Sequence, residues 1–456
     1  MATQKFCVAI ITYMKDKKIL KGAIVLGGAS FFAKILGAFY RVPLTNLLGS
    51  YGLGLYQMIF PVYALFLDFA GASVPSALSK IIAQGEDCPK SCLKSSKRLL
   101  FVFGLFFSLI LAIFCKRIAI WQGNQNATLG YLFLAPSIML FSLLSCYRGY
   151  FQGQLKMFPT ALSQIIEQAI KLILGLLLVR AFLPNVNLAV AGATFAITVS
   201  EAVALLIIFI SYKRQKPTQF YSQKTNFKHH AKTILKTALP ITLSGMVFPL
   251  VHVIDSFLVV NMLSKYTDNA TALYGVMSGV VLTIINLPVS VCHGIATVAV
   301  PAVSSAKEED KIKTAEKTIV LTLLMALPCA LFVIFFTPFS VNFLFGRLQS
   351  VEKTVAINLL RLTAPCIILI PFVQTTNGAL IGKGKLYAPL VSSISGAIVK
   401  ITIMVILLKI PSFNIYGVGI GLIACYFISG LINLIVITVG KVSYAGKTYR
   451  NRQYAS

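Results

Sequence analysis

The sequence predicts an all-α polytopic membrane protein of about twelve transmembrane helices in two parallel six-helix repeats. Composition, the spacing of long apolar segments and an internal duplication carry that reading. Of 456 residues, 57% are hydrophobic and 12% charged, against about 25% charged in an average soluble domain, so a water-facing surface cannot be assembled from this chain.

Crossing about 30 Å of hydrocarbon takes about 20 mainly apolar residues. Segments of that character run over residues 20–41, 54–82, 99–116, 129–150, 157–180, 187–211, 234–262, 272–304, 318–345, 355–381, 387–409 and 414–439. The apolar patch from Phe6 to Met14 is too short to span, and no small-residue cleavage site follows it before Lys15, Lys17 and Lys18, so it reads neither as a span nor as a signal peptide.

Charge sets the orientation. The chain holds 41 Lys and Arg against 13 Asp and Glu, a formal charge of +28. In a soluble protein this balance would point to nucleic acid. Here 29 of the bases fall in loops on the side of the N-terminus and eight in the opposite loops (Arg41, Lys116, Arg117, Arg180, Lys265, Arg347, Lys353 and Lys409). That asymmetry puts both termini in the cytoplasm. The basic loops then face anionic phospholipids, at roughly 1 kcal/mol per near-surface base, and no nucleic-acid partner is called for. The nine cysteines have no metal-ligand spacing. His229 and His230, in the cytoplasmic connection, read as solvated loop residues rather than ligands.

The stretches from Leu134 and from Thr363 align at a constant offset. Ala135, Pro136, Ile138, Leu140, Gly149, Gly153, Lys156, Ser163 and Lys171 match Ala364, Pro365, Ile367, Leu369, Gly378, Gly382, Lys385, Ser392 and Lys400. Each copy belongs to a half with an even number of spans, so the halves insert in the same orientation, about an axis along the membrane normal, with the substrate path between them. The division is 1–211 for the N-terminal bundle, 212–232 for a cytoplasmic linker, 233–440 for the C-terminal bundle and 441–456 for a basic cytoplasmic tail.

A charged residue at the centre of a span costs about 2.5 to 3.5 kcal/mol to insert, so it faces a wet cavity or a partner. Lys34, Asp68, Glu167, Lys171, Glu201, Asp255 and Lys400 lie near mid-span. Glu167 and Lys171, four residues apart, either neutralise each other or serve a ligand. The repeat equivalent of Glu167 is Gly396, which leaves Lys400 without a local carboxylate and calls for an anionic ligand or a distant acid. Lys34 and Arg41 share a helix face, about 10 Å apart in depth by the rise per residue. Arg41, Arg148 and Arg361 either snorkel to headgroups or line the path. Asp255, three residues after His252, is either an ion site or a paired structural carboxylate. In-span prolines, Pro61, Pro136 and Pro371 among them, allow kinks of the kind rocking helices use.

The run from Phe31 to Tyr63, with Lys34, Gly37, Tyr40, Arg41, Pro43, Leu44, Gly52, Gly54, Leu55, Tyr56 and Gln57, followed by GASVPSALSKII from Gly71, resembles the opening helices of the stage V sporulation protein B-like flippases. PAVSSAKEED from Pro301 resembles the matching end of their eighth helix. These are the polysaccharide-transport branch of the multidrug/oligosaccharidyl-lipid/polysaccharide exporter superfamily, related to the MurJ lipid II flippases. The resemblance implies a V of two bundles in a bacterial cell membrane and a cationic cavity. It also implies a monomer that exports an undecaprenyl-diphosphate-linked saccharide, for wall, spore or capsule synthesis, by alternating access. Many members have fourteen helices, two more than are read here. Lys34, Arg41, Lys171, Lys400, Arg361 and Arg148 are the expected substrate contacts, with Lys34, Lys171 and Lys400 in one central chamber. Asp68, Glu201 and Asp255 are the expected ion-coupling acids. A multidrug cation antiporter of the same superfamily is the alternative. A transport-inactive structural protein fits less well, because each retained mid-span charge would be an uncompensated cost. With no paired nucleophile and base, P-loop or metal cluster in the sequence, neither an enzyme nor a cofactor is expected, and the energy source is the membrane potential or a gradient of H+ or Na+.

The orientation is tested by labelling. A Lys224→Cys probe in the long cytoplasmic loop is expected to be protected from an impermeant thiol reagent on intact cells and modified after permeabilisation; labelling on intact cells would reverse the topology.

Overall fold

The computed structural model describes residues 17–84, 88–215, 227–306, 310–385 and 387–453, and no strand occurs among them. The patch from Phe6 to Met14 and Lys307 to Glu309 of the PAVSSAKEED motif lie outside the described residues, as does the middle of the long linker. Among the described residues, eight helices are long and apolar enough to cross a membrane. The bent pair Ser350–Thr363 and Cys366–Gly382, with 44° between its arms, makes a ninth if it is one span. The chain is thus a multi-pass membrane protein.

Contacts divide the chain into two compact units, residues 1–260 and 261–456. The first is built from α1 (Lys17–Ala70), α2 (Val74–Gln84), α3 (Pro89–Trp121), α4 (Thr128–Gly153), α5 (Met157–Phe182), α6 (Val186–Lys213), α7 (Phe227–Gly245) and α8 (Val247–Leu263). The first predicted span and the second as far as Ala70 form one helical run broken only at Gly49, whose backbone (φ 68°, ψ −178°) lies outside the helical region. The loop expected between them thus shrinks to a single hinge residue, and a turn at residues 71–73 sets off the rest of the second span as α2. Glycine takes that conformation without a Cβ clash. The core of this unit holds Tyr40, Leu44, Tyr56, Ile59 and Tyr63 of α1 with Tyr131, Ala135 and Ile138 of α4 and Val190, Ala193 and Ile197 of α6. Nearer the predicted cytoplasmic end, Leu78, Tyr147, Tyr150 and Ile208 pack with Ile234 and Ala238 of α7. Gln122 Nε2 donates to Ser256 Oγ at 2.8 Å. These contacts place the predicted seventh span in the first unit.

His230 is not a solvated loop residue. It is buried on α7, with Nε2 3.3 Å from Ser91 Oγ and Nδ1 4.0 Å from Cys92 Sγ on α3. The His229 side chain lies outside the described residues.

The second unit holds α9 (Ala270–Gly275), a π-helical turn at Val276–Val281, α10 (Leu282–Ser305), α11 (Lys311–Phe335), α12 (Thr337–Leu344), α13 (Ser350–Thr363), α14 (Cys366–Gly382), α15 (Ala388–Leu408) and α16 (Tyr416–Gln453). The duplication reaches the backbone. α4 ends at Gly153 and α14 at the matching Gly382. Lys156 N–H donates to Phe151 O at 3.0 Å, and Lys385 N–H to Leu380 O at 2.9 Å. Both ends are Schellman-type caps, and the residues at the matching positions, Leu155 (φ 57°) and Gly384 (φ 79°), are left-handed.

A left-handed non-glycine residue costs about 1 to 2 kcal/mol. Leu155 is 41% exposed, so little packing is lost on its removal. Leu155→Gly is expected to raise thermal stability in detergent by about 1 kcal/mol and Gly384→Leu to lower it by a similar amount, read as opposite shifts in melting temperature.

Candidate functional site

The mid-membrane charges of the first unit collect around one face of α1. Tyr56, Phe60 and Tyr63 follow at spacings of four and three, which stacks them along a single face. Tyr56 and Phe60 have ring centroids 4.6 Å apart and Phe60 and Tyr63 6.2 Å, and Tyr40 meets Tyr56 edge-on at 6.5 Å. Lys171 reaches this wall from α5, with its ammonium 5.3 Å from the Phe60 centroid and 5.7 Å from that of Tyr40. Such placement over aromatic faces holds a cation without giving it a counter-charge. One turn along α5, a Cβ on Gly175 would come within 2.6 Å of the Tyr40 hydroxyl. The missing side chain there is what lets Tyr40 reach α5.

Glu167 does not pair with Lys171. Its carboxylate lies 2.7 Å from Arg148 Nη2 on α4 and also accepts from Gln168 Nε2 at 3.2 Å. Arg148 Nε donates to Ser163 Oγ at 3.1 Å, and that hydroxyl donates to Thr160 O. Arg148 is therefore not a snorkelling base: it is buried in an interhelical ion pair. Lys171 interacts electrostatically with Glu167, Arg41 and Glu201, but among the described residues neither Lys171 nor Arg41 has a carboxylate within 4 Å. Three bases, Arg41, Arg148 and Lys171, thus share this region with two acids, Glu167 and Glu201.

Glu201, buried on α6, accepts a hydrogen bond from the Tyr63 hydroxyl at 2.6 Å, and Ser137 Oγ donates to that hydroxyl at 3.0 Å. The second carboxylate oxygen, Oε2, has no hydrogen-bond partner among the described residues. Such a group suits proton exchange, since protonation would give it a donor and remove a buried charge.

Lys34 is on α1, but its side chain lies outside the described residues. Asp68 is half-buried near the end of α1, and Asp255 is buried on α8 with Oδ2 3.6 Å from His252 Nδ1. In the second unit Lys400 is buried on α15 and Arg361 is exposed in the last turn of α13. The sequence reading missed Phe60, Tyr63, Ser137, Ser163 and Gln168. The four-and-three spacing of the α1 aromatics was a usable signal, whereas nothing local marks Ser137 or Gln168 as partners of residues on other helices.

The pattern of the family described as polysaccharide biosynthesis protein matches residues 19–307, and that of the MatE family matches residues 240–406. Stage V sporulation protein B of Bacillus subtilis is 26% identical over 447 residues, spanning 94% of this chain and 85% of that protein. The lipid II flippase MurJ of Bacillus subtilis is 24% identical over 442 residues, spanning 90% and 81%. Among solved structures, the inward-facing conformation of a multidrug resistance MATE family transporter superposes with a TM-score of 0.75 at 17% identity, covering 90% of this chain and 95% of that one. The chain belongs to the polysaccharide biosynthesis protein family, and its fold is that of a multi-pass membrane protein similar to the MATE family transporter structure.

Proposed function

We propose that this protein is a transporter of the flippase type. It moves an undecaprenyl-diphosphate-linked saccharide, such as lipid II or a polysaccharide repeat unit, from the cytoplasmic to the outer leaflet of a bacterial cell membrane by alternating access. One observation carries the reading: Lys171 sits over aromatic rings and interacts electrostatically with Arg41, while Glu167, the acid one turn before it on α5, is already held by Arg148. The site therefore keeps cationic charge in reserve. A diphosphate fits it, because several bases can share its oxygens through charge-assisted hydrogen bonds and release them as their spacing changes. The similarity to a lipid II flippase over most of both chains supports the same class of substrate.

In this reading Lys34, Arg41 and Lys171 hold the diphosphate, and Lys400 and Arg361 on the second unit meet the same anion at another point of its path. Arg148 acts at one remove, by occupying Glu167. The membrane potential or a gradient of H+ or Na+ supplies the energy, and Glu201 is the foremost of the coupling acids, ahead of Asp68 and Asp255, because one of its oxygens is buried and unpartnered among the described residues. The MatE match over residues 240–406 favours a second reading, a cation antiporter. The sign of the required charge separates the two.

Losing one charge-assisted hydrogen bond is worth about 1.5 to 3 kcal/mol, so Arg41→Ala or Lys171→Ala is expected to lower transport of a lipid-linked saccharide about 10- to 100-fold. Expression should be unchanged, and Gln should not rescue at either position. Full complementation of a flippase-deficient strain by both Ala variants would overturn the anionic-substrate reading in favour of the antiporter. Glu201→Gln is expected to retain substrate binding while transport in proteoliposomes ceases to respond to an imposed pH gradient; an unchanged response would remove Glu201 from the coupling.

A further inference from the structure

On the flank of the first unit, α3, α4 and α6 enclose a groove of about 420 Å³, lined by Leu143, Ala202, Leu205, Leu206 and Phe209, with Lys97 and Tyr147 at one end. The polar end is built. Lys97 Nζ donates to the Tyr147 hydroxyl at 3.3 Å and lies 5.3 Å from the centre of that ring. Tyr147 packs edge-on against Phe209 at 6.0 Å, and the ammonium of Lys213, at the C-terminal end of α6, lies 4.9 Å from the Phe209 centroid. Two lysines from different helices are thus each set on an aromatic ring beside the groove. Both belong to the loops that the charge asymmetry assigns to the cytoplasmic boundary, where an apolar slot below paired bases has the form of an anionic-lipid site.

We propose that this groove binds an anionic phospholipid of the cytoplasmic leaflet. Its acyl chain lies along Leu143, Ala202, Leu205, Leu206 and Phe209, and its phosphate is held by Lys97 and Lys213. Charge complementarity selects this occupant. An apolar slot alone would accept any acyl chain, but two cations without a carboxylate within 4 Å among the described residues favour a headgroup with net negative charge. The groove shares no lining residue with the Lys171 cluster, and the proposal does not depend on the transported substrate.

Native mass spectrometry of the full chain in detergent, titrated with phosphatidylglycerol or phosphatidylcholine, tests the assignment. Each near-surface base contributes roughly 1 kcal/mol, so Lys97→Ala with Lys213→Ala is expected to weaken phosphatidylglycerol binding about 30-fold and to leave phosphatidylcholine binding unchanged. Lys97→Arg with Lys213→Arg should retain the preference. Ala202→Trp, which fills the slot without touching the charges, should displace both lipids. Equal wild-type affinity for the two lipids, or an unaltered preference in a double Ala variant that keeps the wild-type melting temperature, would overturn the proposal. Should removal of Lys97 destabilise the fold, Lys213→Ala alone still decides it: about a five-fold loss is expected, and no loss refutes the site.

Discussion

The Arg148–Glu167 ion pair is the interaction on which the electrostatics of the first unit depend. Both side chains are largely removed from solvent, at 10% and 18% exposure, with 2.7 Å between them. Breaking a buried pair by deleting one partner costs about 3 to 5 kcal/mol, because the survivor is left uncompensated. Ser163 and Gln168 reinforce the pair from the same helix as Glu167. Its consequence appears one turn away, where Lys171 would otherwise have found its acid at i−4. With Glu167 turned toward α4, Lys171 lies against Tyr40 and Phe60, with no carboxylate within 4 Å among the described residues.

Close helix packing makes this arrangement possible. A Cβ on Gly149 would lie 2.9 Å from Pro75 Cα, and one on Gly153 2.7 Å from Ile82 Cβ, so the end of α4 rests almost directly on α2. In lipid, where water gives no hydrophobic drive between helices, small residues that bring backbones together supply much of the association through dispersion contacts. The same α4 carries Ser137 and Arg148 and thus bridges the Glu201 network to the ion pair.

The fold class was legible because bilayer thickness imposes a length on apolar segments, and the duplication was legible because nine identities recur at one spacing. The helix ends at Gly153 and Gly382 show how directly that spacing reads out as structure. The site was legible only by type. Sequence marks a residue as a costly charge in the membrane, but the choice between two partners for Glu167, one four residues away and one on the preceding helix, turns on rotamers and interhelical distance. The burial of His230 was hidden for the same reason: Ser91 and Cys92 are remote in sequence. The hinge at Gly49 was hidden because glycine composition does not tell a break within one helical run from a loop between two.

The repeats also show where the two copies have diverged. Gly396 stands where Glu167 stands in the first copy. A Cβ there would meet Cys425 O at 2.6 Å and would press still harder on Ser429 Oγ, so α15 and α16 approach too closely for any side chain, let alone a carboxylate. Lys400 follows one turn later, with its aliphatic stem along Gly421 and its side chain buried. The ancestral position thus keeps its lysine in both copies while its surroundings differ: an aromatic wall and a diverted acid in the first, a tight helix pair in the second. Two lysines of equal sequence rank therefore have unlike surroundings, with Lys171 partly exposed against aromatic rings and Lys400 buried between two closely packed helices.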